Sequence, residues 1–128
     1  MRVYGIAHFD GGGQAPGPVR AAAHVDGPDI HVEHVERYAN GTHNTAEWNA
    51  LILALRLALE RGVTHLTVRG DSMLVIQQAR REWKVKAAHL KPLHAEALKL
   101  AERFEHVEFK WVPREENTRA DELGRDVV

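Results

Sequence analysis

Four acidic residues spread over most of the chain stand where one predicted structural element gives way to the next: Asp10, Glu47, Asp71 and Asp121. Asp10 closes an apolar run, and Asp71 ends a second strand-like run. Glu47 lies in the first turn of a long Ala- and Leu-rich helix, and Asp121 belongs to a short terminal helix. Like charges brought together would repel unless cations bound between them. The pattern therefore indicates a site for divalent metal ions. Oxygen ligands without thiolates favour Mg²⁺ or Mn²⁺, and two such ions can support hydrolysis of phosphodiesters.

Each acid also has a simpler explanation when it is taken alone. Asp10 precedes three glycines and is typical of a residue that begins a turn. The pair Asp71-Ser72 is typical of a helix N-cap. The sequence Asn44-Thr45-Ala46-Glu47 resembles a capping box, which predicts a hydrogen bond from the Asn44 amide to Glu47. Asp121 has acidic neighbours and could be solvated. The metal hypothesis therefore depends on convergence of all four.

The elements that must position these acids follow the order βββαβααβα, which predicts an α/β domain with a mixed sheet. Residues 3–10 are apolar on both alternating faces, as expected of a central strand covered on both sides. If the fourth strand pairs with the first, Asp10 and Asp71 end at one edge of the sheet, where α/β domains bind ligands. The predicted strands cover 3–10, 19–26, 30–38, 64–70 and 107–111, and the predicted helices cover 45–61, 72–81, 90–104 and 117–127.

The composition limits the class of protein. With 128 residues, the sequence predicts one domain over 1–128, and no apolar run approaches the ~18 residues that span a bilayer. We therefore expect a cytoplasmic, monomeric protein without membrane partners. The absence of cysteine excludes disulfides, thiolate zinc sites and cysteine catalysis. Nine histidines are present, but His31 and His34 should point to opposite faces of a strand, and structural or solvated roles are expected.

The charge is distributed unevenly although the net charge is only -1. Between Arg80 and Lys91 five basic residues accompany one acid, and Trp83 lies among them. A basic segment with an embedded aromatic side chain is typical of a surface that binds a phosphate backbone. The same composition is also typical of a solvated helix face, and the sequence leaves both interpretations open.

Several short segments match the pattern of a known family, in order and over almost the whole chain. They are Phe9-Asp10-Gly11, Asn44-Thr45-Ala46-Glu47-Trp48-Asn49-Ala50-Leu51, Gly70-Asp71-Ser72 followed by Leu74-Val75-Ile76, Lys91-Pro92-Leu93, Trp111-Val112-Pro113-Arg114 and Ala120-Asp121-Glu122-Leu123. Together they resemble ribonuclease H type 1.

The resemblance implies a ribonuclease H-like fold, with a five-stranded mixed sheet of order 3-2-1-4-5 flanked by helices. It also implies an endoribonuclease that hydrolyses the RNA strand of RNA/DNA hybrids, leaving 5′-phosphate and 3′-hydroxyl ends. Asp10, Glu47, Asp71 and Asp121 would be the catalytic ligands of two Mg²⁺ or Mn²⁺ ions.

The resemblance further implies a nucleic-acid interface. The backbone of the glycine loop and the Asn44 side chain would contact 2′-hydroxyls, which distinguishes RNA from DNA. Thr42 matches a position that contacts a DNA phosphate, and Trp83 with two lysines lies where the DNA strand is expected to run. Double-stranded RNA is a second candidate partner. The expected binding residues are Gly11, Gly12, Gly13, Gln14, Thr42, Asn44, Trp83, Lys84 and Lys86.

The sequence departs from the family pattern around the proposed centre. Ala15 stands where Asn commonly precedes Pro-Gly, and Met73 stands where a Gln normally touches a base. No basic insertion lies between Arg81 and Pro92, and the loop before Asp121 contains no histidine. In many relatives a mobile histidine in that loop aids product release. Candidates for this auxiliary role are Arg114, Glu115 and Glu116.

Two alternative functions remain compatible with the sequence. One is a non-catalytic module of the same fold that binds hybrids or double-stranded RNA; the presence of all four acids argues against it. The other is a ribonuclease H-like DNA nuclease, because related folds present similar acids. The glycine loop and Asn44, matched to 2′-hydroxyl contacts, argue against a DNA nuclease.

Overall fold

A computed structural model describes residues 1–117 as an α/β domain built on one five-stranded sheet. The strands lie in the order β3-β2-β1-β4-β5, which confirms the predicted order. The predicted helix at 117–127, with Asp121, falls outside the described residues except for Asn117. The elements are β1 (Tyr4–Gly13), β2 (Gly17–Gly27), β3 (Ile30–Gly41), α1 (His43–Glu60), β4 (His65–Gly70), α2 (Met73–Ala79), α3 (Lys91–Ala101), β5 (His106–Trp111) and 3₁₀ turns at Ala88–Leu90 and Arg114–Glu116.

The sheet is mixed, and its central pair sets the position of the acids. β1 pairs with β2 antiparallel and with β4 parallel, and β4 pairs with β5 parallel. In the parallel pair Phe9 lies beside Gly70. Asp10 and Asp71, the next residue in each segment, therefore meet at the same edge of the sheet.

The first hairpin is longer than the sequence predicted. The glycines after Asp10 continue β1 instead of forming a turn, because Gly11 pairs with Ala21 and Gly13 with Val19. Pairing in the ladder satisfies backbone groups that a glycine-rich turn would leave to solvent. The turn is confined to residues 14–16.

Helix α1 forms the centre of the core. Its Ala- and Leu-rich sequence favours a helix, and Trp48, Leu51 and Leu55 are fully buried. The helix begins earlier than predicted: Thr42 is its N-cap, and Thr42 and Thr45 hydrogen-bond each other reciprocally through side chains and backbone amides. The predicted capping box at Asn44 and Glu47 is therefore wrong, because both residues already lie inside the helix.

The two faces of β1 differ among the described residues. Ala7 and Phe9 are buried against the helices, whereas Tyr4 and Ile6 are 54% and 39% exposed. The prediction of a strand covered on both sides is thus wrong for the first half of β1 in this part of the chain. None of the described helices is long and apolar enough to cross a membrane.

Candidate active site

Three of the four predicted acids converge at the edge where β1 and β4 end. One carboxylate oxygen from each of Asp10, Glu47 and Asp71 lies within 4.8 Å of the others. Asp10 and Asp71 come from neighbouring parallel strands, and Glu47 comes from the first helical turns of α1. Asp10 is buried, with 7% of its surface exposed. Asp121, the fourth predicted ligand, lies outside the described residues.

Gly11 allows the helix to reach this edge. The Gly11 amide donates a hydrogen bond of 2.6 Å to Glu47 Oε1. A Cβ atom on Gly11 would lie 2.6 Å from the Ala46 carbonyl oxygen and closer still to other backbone atoms of the helix. Only glycine fits this close approach. Glu47 is therefore tied to β1, and not to the start of its own helix.

Asp71 is held by the end of the neighbouring strand. The Trp111 indole donates a hydrogen bond of 3.2 Å to the Asp71 backbone oxygen, and Arg114 Nε lies 3.7 Å from Asp71 Oδ2. The N-cap predicted for Asp71-Ser72 is formed by Ser72, whose Oγ accepts from the Val75 amide at 3.3 Å. The Asp71 carboxylate thereby remains in the acid cluster.

The electrostatics of the cluster fit a bound cation. Burial and the nearby Asp10 carboxylate raise the pKa of Glu47 to about 9, with Asp71 adding to the rise. The Gly11 amide and Arg114 act in the opposite direction. Three acids in this arrangement resist full ionisation without added positive charge, and a divalent cation would supply it. The donor set contains only hard oxygen ligands, which suits Mg²⁺ or Mn²⁺.

Asn117 is a functional candidate that sequence reasoning missed. Its side chain is buried, and Nδ2 donates a hydrogen bond of 2.8 Å to the backbone oxygen of Phe9. The described chain therefore ends beside the strand that carries Asp10. The sequence showed Asn117 only as the start of a predicted helix; an amide side chain in such a position gives no signal of burial.

The predicted nucleic-acid contacts fall into two groups. The first group lies on the two elements that carry Asp10 and Glu47: the glycines and Gln14 are at the end of β1, Thr42 is the exposed N-cap of α1, and Asn44 is exposed in its first turn. The second group lies between α2 and α3, where Lys84 and Lys86 are exposed and Trp83 is 47% exposed. A groove of about 430 Å³ there is also lined by Lys91 and His94.

The three auxiliary candidates lie together on the 3₁₀ turn after β5. Only Arg114 contacts the acid cluster, through Asp71. Glu115 and Glu116 are exposed and do not belong to the group of three converging carboxylates. Arg114 is therefore the candidate that contacts the acid cluster, whereas Glu115 and Glu116 lie at the margin of the cluster.

Comparison with known proteins agrees with this arrangement. A family model described as reverse transcriptase-like matches residues 30–127. Bifunctional protein Rv2228c of Mycobacterium tuberculosis is 37% identical over 127 residues, which cover 96% of this chain and 35% of that protein. The structure of its N-terminal RNase H domain, solved as a fusion with maltose-binding protein, has a TM-score of 0.92 at 35% identity, covering 97% of this chain and 92% of that one.

Two further relatives carry ribonuclease names. Ribonuclease HI of Halobacterium salinarum is 33% identical over 95% of this chain and 63% of its own length. The crystal structure of RNase H1 from that archaeon has a TM-score of 0.89 at 32% identity, covering 98% of this chain and 96% of the other. LC11-RNase H1 in complex with an RNA/DNA hybrid has a TM-score of 0.87 at 30% identity, covering 95% and 94%.

The sheet order and the converging acids thus define a ribonuclease H-like α/β domain. The likeness extends over nearly the whole of this chain and of the solved ribonuclease structures. The chain belongs to the ribonuclease H type 1 family. It spans about a third of the length of the curated mycobacterial relatives that it matches.

Proposed function

We propose that this chain is an endoribonuclease that hydrolyses the RNA strand of RNA/DNA hybrids. The observation that carries the proposal is the convergence of Asp10, Glu47 and Asp71 within 4.8 Å, at the carboxyl ends of two parallel strands in a ribonuclease H-type sheet. The hybrid as substrate is supported by the relative solved in complex with one.

In this proposal Asp10, Glu47, Asp71 and Asp121 hold two Mg²⁺ or Mn²⁺ ions. When bound, the ions supply an activated water and stabilise charge on the departing oxygen. The assignment of Asp121 is supported by Asn117, four positions earlier in the sequence, which is anchored beside Asp10 through the Phe9 carbonyl.

The chain itself contributes fixed geometry. The Gly11 amide orients the Glu47 carboxylate, and the Trp111 indole fixes the backbone of Asp71. A site whose ligands are held before the substrate binds avoids reorganisation during the reaction. Departure of the 3′ oxygen leaves 5′-phosphate and 3′-hydroxyl ends on the RNA.

Substrate binding is assigned to the two groups of residues described above. Residues at the end of β1 and the start of α1 would contact the minor groove, where 2′-hydroxyls identify the RNA strand: Gly11, Gly12, Gly13, Gln14 and Asn44. Thr42 would bind a phosphate of the DNA strand, whose path continues to Trp83, Lys84 and Lys86. The exposure of the Gln14, Thr42, Asn44, Trp83, Lys84 and Lys86 side chains supports the assignment.

Arg114 is the proposed auxiliary residue for product release. Its guanidinium lies near Asp71, and 74% of its side-chain surface is exposed, so it can leave the carboxylate without disturbing the core. Glu115 and Glu116 stand beside it on the same turn and are the weaker candidates. We further propose that the domain acts as a monomer in the cytoplasm.

The proposal is tested with labelled duplexes of one sequence, prepared as RNA/DNA hybrid, double-stranded RNA and double-stranded DNA. We expect cleavage of the RNA strand in the hybrid with Mg²⁺ or Mn²⁺, and 5′-phosphate ends on the fragments. Binding of the hybrid without cleavage in either ion would indicate a non-catalytic module. Preferential cleavage of DNA would indicate a DNA nuclease. Cleavage of double-stranded RNA would add that duplex to the substrates.

A further inference from the structure

The buried side chain of Gln78 links the core helix α1 to the basic segment between α2 and α3. Gln78 is 4% exposed and lies in α2. Its Oε1 accepts a hydrogen bond of 3.1 Å from the Trp48 indole, and its Nε2 donates one of 3.3 Å to the Lys84 backbone oxygen. Both ends of the amide are therefore used: one is fixed in the core, and the other holds the chain that carries the basic side chains.

The segment after α2 is folded back onto the helix. Arg81 adopts a left-handed backbone conformation with a φ of 66°, which turns the chain. The amides of Glu82 and Trp83 then donate to the Gln77 carbonyl at 2.9 and 3.2 Å. The Gln78 side chain binds the next residue, Lys84. Backbone hydrogen bonds therefore form the turn, and the Gln78 side chain holds the backbone that follows the turn, at Lys84.

The same glutamine is also connected to α3. The His94 ring nitrogen lies 3.2 Å from the Gln78 backbone oxygen, and the His94 ring packs edge-on against Trp48 with centroids 5.5 Å apart. Trp48 is fully buried. The groove lined by Trp83 and Lys84 is therefore connected to the buried core through Gln78, His94 and Trp48.

Exposed lysines bind phosphates weakly when their backbone moves, because binding must then order both the chain and the side chains. A backbone fixed beforehand lowers that cost. We propose that Gln78 is a positioning residue, which holds the backbone at Lys84 so that the basic segment binds one strand of the substrate in a fixed register. This inference rests on the proposed function. Gln78 lines the floor of the groove but is only 4% exposed, so it would act through the backbone that it holds.

A purely structural role predicts a different result. If Gln78 only satisfied the buried Trp48 indole, its loss would lower thermal stability and leave substrate binding unchanged. A positioning role instead changes the KM for the hybrid and the salt dependence of binding, because correctly placed lysines release counterions from phosphates. The two roles are separated by measuring stability and binding in the same variants.

The test uses Gln78→Met, which keeps the length of the side chain and removes both hydrogen bonds. We expect KM for the hybrid to rise about tenfold and kcat to change less than about twofold. The slope of log K against log salt for hybrid binding should become shallower. The matched control is Gln77→Met, in the neighbouring half-buried residue, whose side-chain oxygen has no hydrogen-bond partner within residues 1–117. The control should retain the wild-type KM and salt slope.

A second variant tests the bond to Lys84 separately. Gln78→Glu keeps an acceptor for the Trp48 indole but donates to the Lys84 carbonyl only when it is protonated. Burial raises the pKa of such a carboxyl, so the ratio of its KM to the wild-type KM should fall as the pH decreases from about 8 to about 6. A ratio that does not change with pH would overturn the proposed role of this bond.

The two proposals can fail separately. If the wild-type protein cleaves no hybrid with Mg²⁺ or Mn²⁺, the proposed function is wrong. If the wild-type protein cleaves and Gln78→Met lowers the melting temperature without changing KM or the salt slope, only the positioning role is overturned.

Discussion

The acid cluster and the basic segment are built in different ways. The acids stand on the ends of paired strands and on a helix that contacts the strand through Gly11, so backbone geometry fixes them. The basic segment carries exposed basic side chains, most of them on the connection between α2 and α3, and the Gln78 side chain holds its backbone at Lys84. Under the proposed function, the reacting centre would therefore be held by backbone geometry, whereas substrate binding would depend on local side-chain contacts. Substitutions in the first region should change kcat, and those in the second should change KM.

The largest effect is expected for Asp71→Asn. The change keeps the shape of the side chain and removes one negative charge from the cluster, so metal binding at the site should fail. We expect kcat for hybrid cleavage to fall about 1,000-fold or more, with little change in the circular dichroism spectrum.

Asp29→Asn is the matched control for this charge change. Asp29 is exposed in the turn between β2 and β3, at the far end of the sheet from the acids, and its φ of 60° is one that asparagine adopts readily. Its kcat should equal that of the wild type. Wild-type cleavage by Asp71→Asn would remove Asp71 from the catalytic site.

Gly11→Ala tests whether backbone contact sets the site. The added methyl group would clash with the helix backbone at Ala46, and separating β1 from α1 would move Glu47 away from Asp10. We expect kcat to fall about 100-fold, together with a lower melting temperature. Gly12→Ala is the stability control, because its methyl group would meet the flexible end of Arg20 at 3.2 Å. If the melting temperature of Gly11→Ala is no lower than that of Gly12→Ala, the close approach of β1 to α1 does not require glycine at position 11.

The resemblance to ribonuclease H type 1 implied the strand order that the structure shows. The order of the elements predicted a mixed sheet, in which pairing of the first and fourth strands would bring Asp10 and Asp71 to one edge, and the two acids do meet there. The local sequence placed Glu47 in a capping box because three-residue spacing looks the same in a cap and inside a helix. Glu47 instead contacts Gly11, which lies 36 residues earlier in the chain. A local sequence pattern cannot predict a contact between residues so far apart in sequence.

The role of Gln78 was missed for a similar reason, although a signal existed. Gln78 stands three residues after the buried Val75, so helical spacing places it on the covered face of α2. A polar residue at such a position needs partners. Those partners, Trp48 and the Lys84 carbonyl, come from other parts of the fold and are visible only in three dimensions.

A smaller effect is expected for Lys84→Ala in the basic segment. Loss of one phosphate contact should raise KM about three- to tenfold and reduce the salt slope by about one, with kcat unchanged. The matched control is Lys99→Ala, an exposed lysine on α3 whose side chain does not line the groove. Equal effects of the two substitutions would mean that the segment contributes only general positive charge.

The smallest effect concerns a charged cluster at the opposite end of the sheet. Asp26 accepts hydrogen bonds from His24 at 2.9 Å and from His31 at 2.6 Å. Burial opposes ionisation of Asp26, but the bonds from His31 and His24 outweigh it and lower the pKa of Asp26. The same bond with Asp26 raises the pKa of His31.

The sign of the pH dependence follows from these shifts. The lowered pKa of Asp26 gives stability that is lost in acid, and the raised pKa of His31 gives stability that is lost as the pH rises through that pKa. Asp26→Asn should therefore lower the melting temperature most near about pH 5 and less at about pH 8, without changing hybrid cleavage. A difference in melting temperature between the wild type and Asp26→Asn that stays constant from acid to neutral pH would contradict a charge interaction between Asp26 and His31.

The register of β1 against β4 limits how the length of this chain can change. Phe9 and Gly70 lie side by side, and the acid that follows each keeps its place only while both strands keep their residue count. One inserted or deleted residue within either strand would turn its acid to the opposite face of the sheet. Residues 85–87 belong to no strand or helix and can change in number without such an effect. Libraries that vary chain length should therefore yield active variants at this connection and none in the two central strands.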